Sequence, residues 1–167
     1  MQTAILPPQS AALRINSGFA RLADKVQPLF ALALRLYVAH VFFASGLVKL
    51  QNWNSTLALF ENEYHVPVLP PHVAAYFGAG AEIFLPVLLA LGIGTRWAAV
   101  ALFVFNIVAV ISYPDLSDAG IKDHMLWGAL LMVTLVYGPG KLALDRWLER
   151  RYRAGIARTG NSDIMSS

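Results

Sequence analysis

Four stretches of the chain, at about 29–50, 72–93, 96–113 and 121–139, stay apolar for the length of a bilayer crossing. A helix needs about 20 mainly apolar residues to span the hydrocarbon core. Polar or glycine-bearing turns separate the stretches: "QNWNSTLALFENEYHVPVLPP", "GIGTR" and "SYPDLSDAGIKD", with "GPG" at 138–140 ending the fourth. The pattern predicts four antiparallel membrane helices in one domain, 29–140, between an N-terminal segment, 1–28, and a basic tail, 141–167. No internal repeat or low-complexity run divides it.

The flanks and the first outer turn carry a different pattern. Ile15, Phe19, Leu22 and Val26 recur at steps of four, three and four, with Arg14, Arg21 and Lys25 elsewhere on the wheel. That spacing predicts a helix lying on the membrane surface, with a disordered tail as the alternative. The segment lacks the short apolar core of a cleavable signal peptide. Trp53, Leu57, Phe60 and Tyr64 repeat at helical steps, with Asn54 or Ser55 as N-cap and Pro67 as the stop, so a short helix should cover the outer mouth. Trp147, Leu148 and Tyr152 interleave the basic tail as in an interfacial helix. The fold class is therefore all-α: an integral membrane four-helix bundle with interfacial amphipathic helices at the N-terminus, first outer loop and C-terminus.

Charge orients this bundle. Arg14, Arg21, Lys25, Arg96, Lys141, Arg146, Arg150, Arg151, Arg153 and Arg158, ten of the 13 basic residues, fall on one side. Basic flanks stay in the cytoplasm, so both termini are expected there. The same bias can attract anionic lipid, and no nucleic-acid recognition motif accompanies it. Composition agrees: 57% of residues are hydrophobic and 14% charged, against roughly 45–50% apolar in soluble domains. The 167 residues include no Cys, which excludes thiolate catalysis, disulfide exchange and a cysteine-held iron–sulfur cluster on this chain.

Ionisable residues inside the apolar stretches are the candidate chemistry. Each costs about 2.5–3.5 kcal/mol at the bilayer centre on insertion scales, so each should face protein or water and find a partner. Arg35 lies roughly 9 Å from the inner end of the first stretch and Glu82 roughly 16 Å from the inner end of the second, at helical rise. A long arginine can close most of that gap. An Arg35–Glu82 ion pair is therefore expected, with Asn106 a further partner and His40 joining the network or satisfying a neighbour's carbonyl. Such a pair either sets helix register or acts in function, holding a polar or quinone-like ligand near midplane or passing a proton. Pro86 should bend the second helix beside Gly78 and Gly80.

Lys49, Asp123 and His124 are expected to form a second cluster at the outer surface. His65, His72 and His124 collect there with several carboxylates, a set that suits zinc or copper. Their spacing is no ligand motif, and solvated histidines are the better reading. A bis-histidine haem is disfavoured, because His40 lies roughly 15 Å from the outer end and His124 about 5 Å.

"ALRLYVAHVFFASGLVKL", "GAGAEIFLPVLLALGIGTRWAAVAL" and "DHMLWGALLMVTLVYGPGKLALD", in that order, resemble the DoxX family of small four-span membrane proteins over about residues 29–145. "ENEYHVPVLPP" and "FNIVAVISYPDL" are similar to its HvfX-like branch, found with biosynthetic systems for modified, copper-binding peptides. The resemblance implies Arg35, Lys49 and Glu82 as motif positions, with Asp123 and His124 as weaker additions. It also implies a bacterial inner-membrane location and a membrane or periplasmic protein partner beside the lipid bilayer. Three functions follow as expectations. One is an accessory protein of redox or metal physiology, such as a quinone-interacting subunit of an oxidoreductase. Another is a binding or export component of a copper-related peptide system, and the third is a non-catalytic scaffold.

Overall fold

The computed structural model describes residues 11–152 and, for side chains, residues 17–152. It contains α1 (Ala11–Gln51), α2 (Trp53–Asn62), α3 (Pro71–Leu91), α4 (Thr95–Ser112) and α5 (Asp118–Tyr137), followed by a short α6 over 144–152. No strand occurs among the described residues. α1, α3, α4 and α5 are each long and apolar enough to cross a membrane, and the chain is a multi-pass membrane protein.

The amphipathic N-terminal stretch and the first span form one uninterrupted helix that runs through Pro28. At 41 residues α1 is about 60 Å long, twice the roughly 30 Å hydrocarbon core. Phe19, Leu22 and Val26 lie exposed along its extension. Such exposure suits residues facing lipid headgroups and tails. Ile15 falls outside the described side chains.

α1 packs chiefly on α3, and α4 on α5. The core is built from Val38, Ala39 and Phe42 of α1, Leu89 of α3, Ala98, Ala99 and Leu102 of α4 and Leu131 of α5. The alanines at 39, 98 and 99 sit among these larger side chains, and small residues matter here because apolar packing against lipid tails offers little gain, so close backbone approach has to supply attraction. Gly46 is one point of close approach between α1 and α3. A Cβ there would stand 2.9 Å from Glu82 Cβ and 3.1 Å from the Glu82 carbonyl carbon. That contact sets the antiparallel register, with Gly46 level with Glu82 and Arg35 level with Gly92.

α2 closes the outer end. Asn52 caps it by accepting the Ser55 N–H at 3.1 Å, two or three residues before the predicted Asn54 or Ser55. The Thr56 hydroxyl donates to the Lys49 carbonyl at 2.8 Å. Phe60 packs with Ala74 and Ala75 of α3, and the His65 N–H donates to the Ser112 carbonyl at 2.7 Å. α3 continues through the buried Pro86 without a break in the helix.

The inner end is closed by residues 138–145 folding back under the bundle. Gly92 ends α3 in the left-handed region, φ 73°. Its carbonyl accepts the Asp145 N–H at 2.9 Å. The Asp145 carboxylate in turn caps α4, accepting from the Gly94 N–H at 2.8 Å, the Thr95 N–H at 2.9 Å and the Thr95 hydroxyl at 2.8 Å. An anion suits a helix N-terminus, where the unpaired N–H groups and dipole are positive. Burial alone would raise the Asp145 carboxyl, but the Thr95 and Gly94 hydrogen bonds and the Arg35 charge outweigh it and hold it below the usual carboxylate range.

Two outcomes follow for this closure. Gly92→Ala puts a Cβ into Arg35 Nη1 and 2.6 Å from Ala143 Cβ at a left-handed position that already costs about 1–2 kcal/mol. It should lower the thermal midpoint in detergent and the monodisperse yield sharply. Because Asp145 is more acidic folded than unfolded, its contribution is complete above the unfolded carboxylate range and disappears as pH falls through the folded value. Acid titration of thermal stability should show that loss in the wild type. Asp145→Ala should flatten it while lowering stability by about 1 kcal/mol, as for a lost N-cap.

Candidate functional site

The buried polar centre of the membrane domain joins α1 to α3. Lys49 Nζ donates to Glu82 Oε1 at 2.9 Å and to the Ser45 hydroxyl at 2.9 Å, and Ser45 donates to Glu82 Oε1 at 3.2 Å. Oε2 lies 2.7 Å from Nζ, the shorter contact of the ion pair. Helix geometry explains the pairing. Cα–Cβ bonds tilt toward a helix's N-terminus, so Lys49 leans inward from one turn above Gly46 while Glu82, on the antiparallel α3, leans outward to meet it. Ser45, four residues before Lys49, lies on the same face of α1.

Arg35 and Glu82 are not joined, which corrects the expected ion pair. Arg35 sits 11 residues inward of Gly46, about 16 Å along the helix, and its side chain leans further inward. The depths taken from the ends of the apolar stretches assumed that those ends are level. The Gly46–Glu82 contact instead brings Arg35 level with the α3–α4 turn. There Arg35, 1% exposed, donates from Nη2 to the Leu142 carbonyl at 3.0 Å, while Nε and Nη1 have no hydrogen-bond partner among the described residues.

The other expected groupings also change. His40 is exposed and belongs to no Arg35–Glu82 network; it lines a shallow groove with Phe43 and Pro86. Asn106 partners His124 instead of Glu82: its Nδ2 donates to the His124 carbonyl at 2.9 Å, and its Oδ1 stands 2.7 Å from His124 Nδ1. Lys49, Asp123 and His124 therefore do not form one outer cluster. α5 begins at Asp118 under a Ser117 cap, three residues before the predicted start, which lowers His124 by about 4.5 Å. His72 stands 3.1 Å from Glu61. His65, His72 and His124 do not converge; no three His, Asp or Glu side chains among the described residues are grouped to hold a metal ion.

Above Glu82 a pocket of about 240 Å³ opens between α3, α4 and the cover formed by α2. Phe60, Phe77, Phe105 and Val108 give it apolar walls, and Lys49, Glu82, Tyr64 and Ser112 are its polar members. The Ser112 hydroxyl is buried and has no hydrogen-bond partner among the described residues. Tyr64 stacks between Phe60 and Tyr113, at ring separations of 4.9 and 5.1 Å. Burial, then the Glu82 carboxylate and neighbouring phenols and acids, push the Tyr64 phenol up, so it remains a hydroxyl donor at the mouth. The arrangement offers an ammonium, two hydroxyls and a carboxylate to a largely apolar ligand. Sequence reasoning missed Ser45, Ser112 and Asp145. The Ser45/Lys49 spacing was the one signal available, since Ser112 and Asp145 act on distant segments.

A family model described as DoxX matches residues 30–115, just over half of the chain. An uncharacterized protein of Haemophilus influenzae is 31% identical over 130 residues, covering 72% of this chain and 84% of the relative. No solved structure matches the chain.

The ion pair has a measurable signature. Removing one partner of a buried pair strands the other charge, at about 3–5 kcal/mol. Lys49→Met should therefore lower the detergent thermal midpoint strongly, and Lys49→Met combined with Glu82→Met should recover most of the loss. Equal instability of the single and double variants would show that the pair is not what holds α1 to α3.

Proposed function

The chain belongs to the DoxX family, and we propose that it is a membrane subunit of redox physiology that binds a quinone-type lipid carrier in the pocket above Lys49 and Glu82. The observation carrying this reading is an apolar pocket, about 240 Å³ in volume, that ends on the partly buried ammonium of Lys49. A quinone headgroup is an apolar ring bearing hydrogen-bond acceptors. Lys49 Nζ and the unpartnered Ser112 hydroxyl are the donors that fit them. Charged hydrogen bonds of this kind contribute about 1.5–3 kcal/mol each when buried.

Glu82 keeps Lys49 charged and aimed in the same scheme, with Oε1 and Oε2 at 2.9 and 2.7 Å from Nζ. The bound quinone supplies two-electron chemistry; the electron donor is a partner protein, and any thiol step belongs to that partner because this chain has no Cys. The inner-end closure shuts the opposite side, so the ligand reaches the pocket from the outer half of the bilayer or beneath α2. The distribution of basic residues supports an inner-membrane orientation with both termini cytoplasmic.

Purified protein in nanodiscs, titrated with a decyl-substituted benzoquinone, tests the reading. Lys49→Gln should weaken binding tenfold or more, the equivalent of about 1.4 kcal/mol. Ala109→Phe, which fills the pocket and leaves the ion pair intact, should abolish it. Unchanged affinity in both variants would remove the quinone reading.

A further inference from the structure

A second polar group faces the lipid side of the bundle, in a groove of about 340 Å³ between α4 and α5. Phe103, Ile107, Met125 and Met132 line it, and Asn106 and His124 are its polar members. Asn106, 4% exposed, is held at both ends of its amide. Nδ2 donates to the His124 carbonyl, which fixes Oδ1 as the atom facing His124 Nδ1. An amide oxygen can only accept, so Nδ1 carries the hydrogen, and in the neutral ring the lone pair lies on Nε2. Nε2 makes no hydrogen bond among the described residues.

Both residues lie six positions from the outer ends of their helices, Ser112 and Asp118, about 9 Å along each axis. Water is scarce at such a depth, and an unpaired acceptor there is costly. The Trp127 ring stands edge-on to the imidazole at 4.8 Å and keeps its plane fixed. A Cβ on Gly128 would meet Asn106 Nδ2 at 3.3 Å and Phe103 at 3.6 Å, so the glycine lets the two helices close around the dyad.

We propose that this groove binds the phenolic headgroup of a bilayer-soluble ring compound, with His124 Nε2 accepting its hydroxyl. The site presents an acceptor without a charged donor, which selects ligands that donate. A phenol donates more strongly than an alkanol, and the Met125 and Met132 thioethers together with Phe103 favour an aromatic ring. The relation to the first pocket rests on the quinone reading given above. A quinone carries only acceptors and suits the Lys49 ammonium, whereas its hydroquinone carries donors and suits His124. The two sites would then separate the oxidised and reduced forms by hydrogen-bond polarity, and only binding is proposed at the groove.

The test uses the full chain in nanodiscs with ¹⁵N-labelled histidine, titrated anaerobically with a decyl-substituted hydroquinone and separately with its quinone. Hydroquinone should shift the His124 Nε2 resonance and leave Nδ1 protonated. His124→Phe should weaken hydroquinone binding about tenfold and spare quinone binding, while Lys49→Gln does the reverse. Ala129→Phe, which fills the groove with the dyad intact, should also remove hydroquinone binding, so a folding defect in His124→Phe does not decide the matter. An unmoved Nε2 resonance, or full hydroquinone affinity in Ala129→Phe, overturns the proposal. So does a changed oligomeric mass in Ala129→Phe without wild-type hydroquinone binding, which would assign the groove to a second copy of the chain. Failure of quinone alone to bind sinks the reading of the first pocket and leaves the groove standing on hydroquinone.

Discussion

The close approach of α1 to α3 at Gly46 governs the rest of the molecule. With no side chain at that position, the Glu82 backbone and α1 come into direct contact, and the register is fixed along the whole pair. Everything polar on α1 takes its partner from that register. Lys49, one turn outward, is within reach of the carboxylate, and Arg35 is carried to the turn after α3. A shift by one turn would strand both cations in hydrocarbon, where each costs kilocalories per mole.

The two cations are stabilised in different ways, and the difference divides the protein into halves. Lys49 meets a full carboxylate and a hydroxyl inside the bundle, an arrangement that tolerates low dielectric because charge and hydrogen bonds are satisfied together. Arg35 meets a single backbone carbonyl and the more distant charge of Asp145, which is itself committed to the N-terminus of α4. The inner half is thus closed by a mesh of backbone groups around the arginine. The outer half, where α2 only rests across the opening, keeps a cavity beside its charge.

Much of the architecture was legible in the sequence. Apolar length alone located the four spans, and the Trp53–Leu57–Phe60 spacing located α2. The ion pair was not legible, because depth was counted from the ends of apolar stretches while α1 runs on for many residues beyond the membrane. The inward tilt of arginine on α1 then widened a gap that its length was expected to close. His124 was set too shallow for the same kind of reason, since Ser117 starts α5 earlier than hydropathy does. Asp145 was invisible to any local pattern: the helix it caps begins 50 residues before it. Hydrophobic periodicity reports which face is buried, but the partner of a buried charge depends on register between helices, which no single helix encodes.

Hydrogen-bond direction gives the buried polar residues a meaning that their charges alone do not. Around Lys49 the pocket offers donors, from the ammonium and the Ser112 and Tyr64 hydroxyls, while the carboxylate is largely engaged with the lysine. In the α4–α5 groove the amide of Asn106 turns the imidazole so that its accepting nitrogen is the free one. In water such a distinction would be weak, because solvent supplies both donors and acceptors. In hydrocarbon it is strong, since a donor facing a donor leaves both unpaired and each unpaired group carries a desolvation cost of about 1–3 kcal/mol. The two proposed sites would therefore discriminate between ligands of nearly the same shape by which atoms carry hydrogen.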